Sequence, residues 1–328
     1  MKILLPLLAT IALLSSCCNQ KQDQKIVDNI SIRETSTNGL KVDYYMNGLE
    51  KETNIIFISD CHITVEDQRG AEFYQYSKRM GGWAVEAENY GTSNGREQQL
   101  LQSIEKAKEN NADLVILAGD IINFPSEASV ELIKKIMDES GLTWVYIAGN
   151  HDWHYEGMEG TATDLRASWV EQRLTPLYQG ENSMYSSRII NGINFVVIDN
   201  STNEVSQEQL DFFKKQTQKS EPIILSMHIP LYTNEQQDPG NFGCGHPKWN
   251  AQNDDYYQIE RRKPWRESGH TATTLEFREV AFNTPTLLGI LAGHTHLREV
   301  DFYNGVPQMV NGANFDGSDI TVHFHPAK

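Results

Sequence analysis

The chain has 328 residues, 39% of them hydrophobic and 22% charged, an ordinary globular composition that excludes a disordered or fibrous protein and allows one large α/β domain with a sizeable core. With 28 basic against 44 acidic residues the formal charge is −16, a field that repels polyanions and disfavours nucleic acid as a partner. The four cysteines, Cys17, Cys18, Cys61 and Cys244, match neither a disulfide framework nor a zinc ribbon. Cys61 and Cys244 are taken as free unless the fold brings them together.

Lys2 precedes an apolar run from Ile3 to Leu14 that is too short to span a bilayer and reads as an export signal. Residues 18 to about 30 are mostly polar without a period, as in a tether. The expected organisation is a signal peptide at 1–16, a polar tether and lead-in at 17–50, and one domain at 51–328.

Short apolar runs follow at Asn54 to Ser59, Asp113 to Ala118, Thr143 to Ala148, Ile193 to Ile198, Pro222 to Met227 and Leu287 to Ala292. They read as buried strands. Between them, Glu97 to Asn110, Ser126 to Ser140 and Ser206 to Lys219 carry apolar residues at steps of three and four, the pattern of crossover helices. Runs at Arg298 to Tyr303, Gln308 to Val310 and Ile320 to Phe324 look like added antiparallel strands. The alternation predicts an α/β fold, a two-sheet sandwich with αββα-like layers. Two long segments, 64–95 and 232–273, interrupt it, and each follows a strand that ends in a candidate metal ligand. Loops of that length are usually functional or disordered.

Five of the strand-like runs end in donors for hard or borderline metals: Asp60 and His62, Gly119-Asp120, Gly149-Asn150-His151-Asp152, His228, and Gly293-His294-Thr295-His296. Open α/β sheets present a crevice at those ends. Alternation along a continuing strand would point Asp60 and His62 the same way, and likewise His294 and His296. Carboxylate, imidazole and amide donors without thiolate suit Zn, Mn or Fe. Taken singly, an Asp or Asn at a strand end can be a turn residue and a His a satisfied structural group; the ordered set argues for a site. His154, His246, His270, His323 and His325 fall outside it, although His246 lies in a long loop.

The ordered series D-x-H, G-D, G-N-H-D, a later His and G-H-x-H resembles the calcineurin-like metallophosphoesterases over residues 60 to 296. The resemblance implies that Asp60, His62 and His296 bind one metal, that Asn150, His228 and His294 bind a second, and that Asp120 bridges them. It also implies in-line attack on phosphorus with two ions stabilising the surrounding oxygens. His151 would be the general acid, held and made more basic by Asp152. Two divalent ions against the carboxylates of Asp60 and Asp120 leave a local +2, suited to phosphate. The purple acid phosphatases carry Gly at the place of His62 and a metal-binding Tyr at the place of Asn123, so their colour is not expected. Leu14-Ser15-Ser16-Cys17 resembles the lipobox of bacterial lipoproteins, which implies acylation at Cys17 and an exported protein anchored to a membrane in the cell envelope.

Aromatic and basic residues of the insertions, among them Arg79, Trp83, Tyr232 and His246, are candidate contacts for a small phosphorylated substrate such as a nucleotide or sugar phosphate. Packing of the loops on the domain is the competing account of those aromatics. A nuclease or protein phosphatase of the same superfamily and a non-catalytic binding protein are the alternatives. The acidic balance opposes the nuclease, with Arg261, Arg262, Lys263 and Arg266 as its one dense basic patch, and the intact donor set opposes loss of catalysis.

Overall fold

Each predicted buried run becomes a strand whose alternate side chains enter different cores. The strands are β1 Val27–Glu34, β2 Leu40–Met46, β3 Thr53–Ile58, β4 Leu114–Ala118, β5 Trp144–Ile147, β6 Tyr185–Ile190, β7 Ile193–Ile198, β8 Ile223–Ser226, β9 Leu287–Ala292, β10 Glu299–Tyr303, β11 Val306–Val310 and β12 Ile320–Pro326. The helices are α1 Tyr74–Gly81, α2 Glu97–Glu109, α3 Glu127–Ser140, α4 Ala162–Trp169, α5 Gln207–Thr217 and α6 Ala272–Phe282. This computed structural model describes residues 26–35, 39–81, 93–233, 243–246 and 269–327. Cys17, Trp83 and the Arg261 to Arg266 cluster lie outside those residues. Among the described residues no helix is long and apolar enough to cross a membrane.

The strands form two six-stranded sheets, ordered β1-β2-β12-β3-β4-β5 and β10-β11-β9-β8-β7-β6. Ile55 and Phe57 of β3, Leu114 and Ile116 of β4, and Phe195 and Val197 of β7 meet in one core between the sheets. Their neighbours Ile56, Ile58, Val115 and Leu117 face a second core with Leu100 and Ile104 of α2 and Ile133 of α3. On the far side, Val196, Ile198 and Leu225 pack with Phe213 of α5 and Phe277 of α6. A period of two on each strand therefore separates three apolar layers, and the αββα sandwich is the result.

Caps fix where the helices begin. Ser126 accepts the Ser129 N–H at 3.1 Å ahead of α3, and Ser206 and Gln209 form a capping box ahead of α5. The late strands are mixed rather than simply antiparallel: β12 runs antiparallel to β3 but parallel to β2, and β11 runs parallel to β9. The stretch read as tether to about residue 30 overlaps β1, which starts at Val27. Cys61 and Cys244 are both buried and free, and they sit in different cores.

The first insertion is stapled at its base, and the second at its entry. The Asn94 side chain donates to His62 O at 2.9 Å and accepts the Thr64 N–H at 3.2 Å, while Val65 O accepts from the hydroxyls of Ser126 and Ser129. In the second, Cys244 N donates to Pro230 O at 2.7 Å and Tyr232 N to Cys244 O at 2.9 Å. Beside the first staple Glu66 is buried, and one of its oxygens has no hydrogen-bond partner. Burial pushes its carboxyl from 4.5 up to about 7. The folded chain therefore keeps Glu66 protonated where the unfolded chain has ionised it, and unfolding releases a proton in that window. The stability Glu66 contributes is complete below pH 4.5 and is lost as pH rises to about 7. Urea denaturation at several pH values is expected to show Glu66→Gln gaining on the parent across this interval; a constant difference between the two proteins would refute the assignment.

Candidate metal centre

The loops leaving β3, β4, β5, β8 and β9 converge at one end of the two sheets. Ligand atoms of Asp60, His62 and His296 cluster within 4.8 Å of one another, and so do those of Asp120, His228 and His294. Asp120 Oδ2 lies 3.3 Å from His228 Nε2 and 3.7 Å from His62 Nε2, which puts its carboxylate between the two groups. His296 Nε2 lies 3.0 Å from His62 Nε2 and 3.5 Å from Asp60 Oδ1.

Strand alternation does not produce this convergence. Asp60, His62, Asp120, His294 and His296 all lie beyond their strands at positive φ, from 45° to 74°, so the expectation that Asp60 and His62 share a direction through continued strand geometry is corrected. The left-handed backbone is held by long-range hydrogen bonds. Asp60 N donates to Gly119 O at 3.0 Å and His62 N to Asp120 O at 2.8 Å, and His294 N donates to Asp60 Oδ1 at 3.1 Å. The glycines of the motifs answer to close approach: a Cβ on Gly119 would fall 2.5 Å from His228 Nδ1, and one on Gly293 2.4 Å from Asp60 Oδ2.

The donor atoms are prepared for metal. Ala118 O accepts from His228 Nδ1 at 2.9 Å, so the Nε2 lone pair of the neutral ring faces Asp120. Asn150 is buried, and its Oδ1 has no hydrogen-bond partner; a metal ion would satisfy that amide oxygen. Burial drives His62 toward the neutral form that a ligand needs. Burial raises both carboxyls, yet the facing imidazoles outweigh it, holding Asp60 below its ordinary value and Asp120 well below. Burial likewise opposes the His228 imidazolium, but the Asp120 carboxylate lifts it to about 10. Two mutually attracting groups, with oxygen and nitrogen lone pairs directed inward, fit divalent cations that displace a proton.

Asn123 is the residue that sequence reasoning missed. Its Nδ2 donates to Met80 O at 2.8 Å at the end of α1, which fixes the amide so that Oδ1 accepts from His62 Nδ1 at 3.2 Å and from His151 Nδ1 at 2.9 Å. The backbone carbonyl of Asn123 lies 3.2 Å from the same His151 nitrogen. One side chain thus sets the tautomer of a metal ligand and of the adjacent His151. Asp152, expected to orient His151, is fully buried and accepts backbone N–H groups of Asp120, Ile122 and Gly149 at 2.7–2.9 Å.

The candidate substrate contacts fare differently. Arg79 turns onto Glu156 O at 3.4 Å. His246 is buried against the Tyr232 ring, with centroids 4.1 Å apart, and belongs to neither donor cluster. Phe73 stacks on Tyr155 and meets Trp169 edge-on, so this aromatic packs the first insertion onto the domain. Trp83 lies outside the described residues. His270 faces Glu204, and His325 lies between Asp43 and Glu52, away from the donor clusters.

Residues 53–298 match the family described as calcineurin-like phosphoesterase. The chain belongs to that family. Solved structures similar to it include a dimetal phosphatase from Danio rerio, with 12% identity, covering 80% of this chain and 88% of that one at a TM-score of 0.45. A purple acid phosphatase from yellow lupin (Lupinus luteus) seeds has 13% identity, 86% and 46% coverage and a TM-score of 0.45. A putative 5'-nucleotidase from Staphylococcus aureus has 10% identity, 80% and 49% coverage and a TM-score of 0.42. Likenesses at that distance carry no inference about substrate.

The shared position of Asp120 has a direct test. Asp120→Ala is expected to lose bound metal from both donor groups, whereas His296→Ala weakens only one. Elemental analysis of the purified variants decides it: full loading of Asp120→Ala would remove Asp120 as the bridge.

Proposed function

We propose that this phosphoesterase is a two-metal hydrolase of a small phosphorylated molecule, such as a nucleotide or sugar phosphate. The observation that carries the reading is the joint orientation of His62 and His151 by Asn123 beside the paired donor groups. Asp60, His62 and His296 would hold one ion, Asn150, His228 and His294 the other, and Asp120 both. When bound, the ions supply Lewis acidity that activates water and offsets phosphoryl charge. The net charge of −16 favours a small substrate over a polyanion, because long-range repulsion grows with the charge of the approaching molecule.

His151 carries the proton chemistry. Its Nδ1–H is committed to Asn123, so Nε2 is the nitrogen that gives a proton to the departing oxygen and is left with its lone pair. A neutral amide partner fixes the ring without adding a second negative charge against the incoming phosphate. Asp152, which accepts three backbone amides, holds the β4 and β5 loops together.

Metal content and hydrolysis are to be measured in the same preparations, with Mn, Zn or Fe added and a panel of monoesters, diesters and nucleotides. His151→Ala is expected to keep its metal and lose roughly 10²- to 10⁴-fold in rate on an alkyl phosphate, with a smaller loss on a nitrophenyl phosphate, whose oxygen leaves unaided. Equal losses on both would exclude His151 as the acid. Asn123→Ala is expected to slow both esters about 10- to 100-fold, because it releases the metal ligand as well as the acid. A loss confined to the alkyl ester would mean that Asn123 serves His151 alone. Metal-loaded parent protein that cleaves no member of the panel would overturn the proposal itself.

A further inference from the structure

Arg96, at the exit of the first insertion, is placed beside the metal centre by contacts that no motif announces. Its backbone N–H donates to Asn94 Oδ1 at 3.3 Å, and Asn94 in turn holds His62 O, so the residue is tied to a ligand loop. Its guanidinium carbon lies 4.4 Å from the centroid of the Phe315 ring. Phe315 meets the rings of His296 at 5.1 Å and 88° and of His62 at 5.7 Å and 61°, and its N–H donates to Asp60 O at 3.2 Å. Arg96 thus stands one ring away from two residues of the same donor group, on a platform that shares their backbone support.

The guanidinium is half-buried and, among the described residues, its side chain has neither a hydrogen-bond acceptor nor a carboxylate at ion-pair distance. Arg69, Arg166, Arg173, Arg188, Arg278 and Arg298 by contrast each pair with a carboxylate. Burial works against its charge, and Asp316 and Cys61 relieve that only in part. A partly desolvated planar fork with unused donors is suited to an oxyanion, which it can grip through two parallel hydrogen bonds. The cation–π contact with Phe315 holds the guanidinium over that ring.

We propose that Arg96, on its Phe315 platform, binds a second anionic group of the substrate, a phosphate or carboxylate next to the scissile phosphoryl group. The inference rests on the phosphoester reading of the metal centre and makes it narrower. The ions would take the scissile group, and Phe315 links Arg96 to their ligands from one group further out. Substrates with two anionic groups are selected over those with one.

Binding rather than turnover tests this. Full-length protein loaded with Mn is titrated calorimetrically with methylphosphonate, which carries one anionic group, and with phosphonoacetate, which carries two. Arg96→Ala is expected to weaken phosphonoacetate by about tenfold or more, the range for a lost hydrogen bond to a charged group, while methylphosphonate stays within about twofold. Arg96→Lys, which keeps the charge without the fork, is expected to recover part of the loss. No loss for phosphonoacetate, or the same loss for both probes, would overturn the proposal. Hydrolysis of nitrophenyl phosphate by the parent, measured alongside, judges the phosphoester reading separately: a parent that binds both probes but cleaves nothing refutes that reading, and the titrations still decide Arg96.

Discussion

Asp152 belongs to none of the donor clusters, yet the positions of the donor residues depend on it. Its two oxygens take the N–H groups of Asp120 and Ile122, which follow β4, and of Gly149, which follows β5. Without that acceptor three amides in the interior would be unpaired, each at a cost of about 1–3 kcal/mol. The same carboxyl sits close to Asp120, and burial followed by that neighbouring charge pushes it up to about 8. Two neighbouring buried carboxylates disfavour each other's ionisation. Positive charge at the donor groups would therefore favour the ionised form of Asp152.

The ligand residues themselves occupy a costly backbone. Asp60, His62, Asp120, His294 and His296 are all left-handed, a conformation that disfavours a residue with a Cβ by roughly 1–2 kcal/mol. What offsets it is mutual: Gly119 O accepts from Asp60, Asp120 O from His62, and Asp60 Oδ1 from His294. Each turn is held by another turn of the site, so no ligand loop is placed alone. This is strain kept where rigid aim of a side chain is useful.

The fold was legible where burial is complete. β3, β4, β5, β7, β8 and β9 are buried on both faces and appear as unbroken apolar runs, and the donors at their ends name the site directly. β6, an outer strand with no fully buried residue, and α6, which opens on Ala272-Thr273-Thr274, give weak periodic signals and were not foreseen. The Asp60 and His62 pair was found through a strand alternation that the chain does not use: the residues were right and their geometry was not. Asn123 could not be found from spacing, because its task depends on Met80 O, whose position depends on how α1 packs. The partners of Asp152 were not legible, because its carboxylate bonds to the backbone N–H groups of Asp120, Ile122 and Gly149 and no spacing in the sequence signals those bonds.

Long insertions beside a metal centre should endanger its geometry, and the base of each insertion shows why they do not. Closing a longer loop costs only about 0.6 kcal/mol for each doubling of its length, so the expense lies in fixing the ends rather than in the residues between. Asn94 fixes one pair of ends by bonding Thr64 and His62; in the other insertion the exchange among Pro230, Tyr232 and Cys244 fixes the entry, and the Thr271 hydroxyl, donating to Glu204, fixes the exit. The residues between can then vary without moving a ligand, while those at the staples are as firmly placed as the ligands. Arg96 sits at such a staple. A guanidinium that is to recognise an anion beside the paired donor groups belongs there, where its backbone is bonded through Asn94 to the loop of His62.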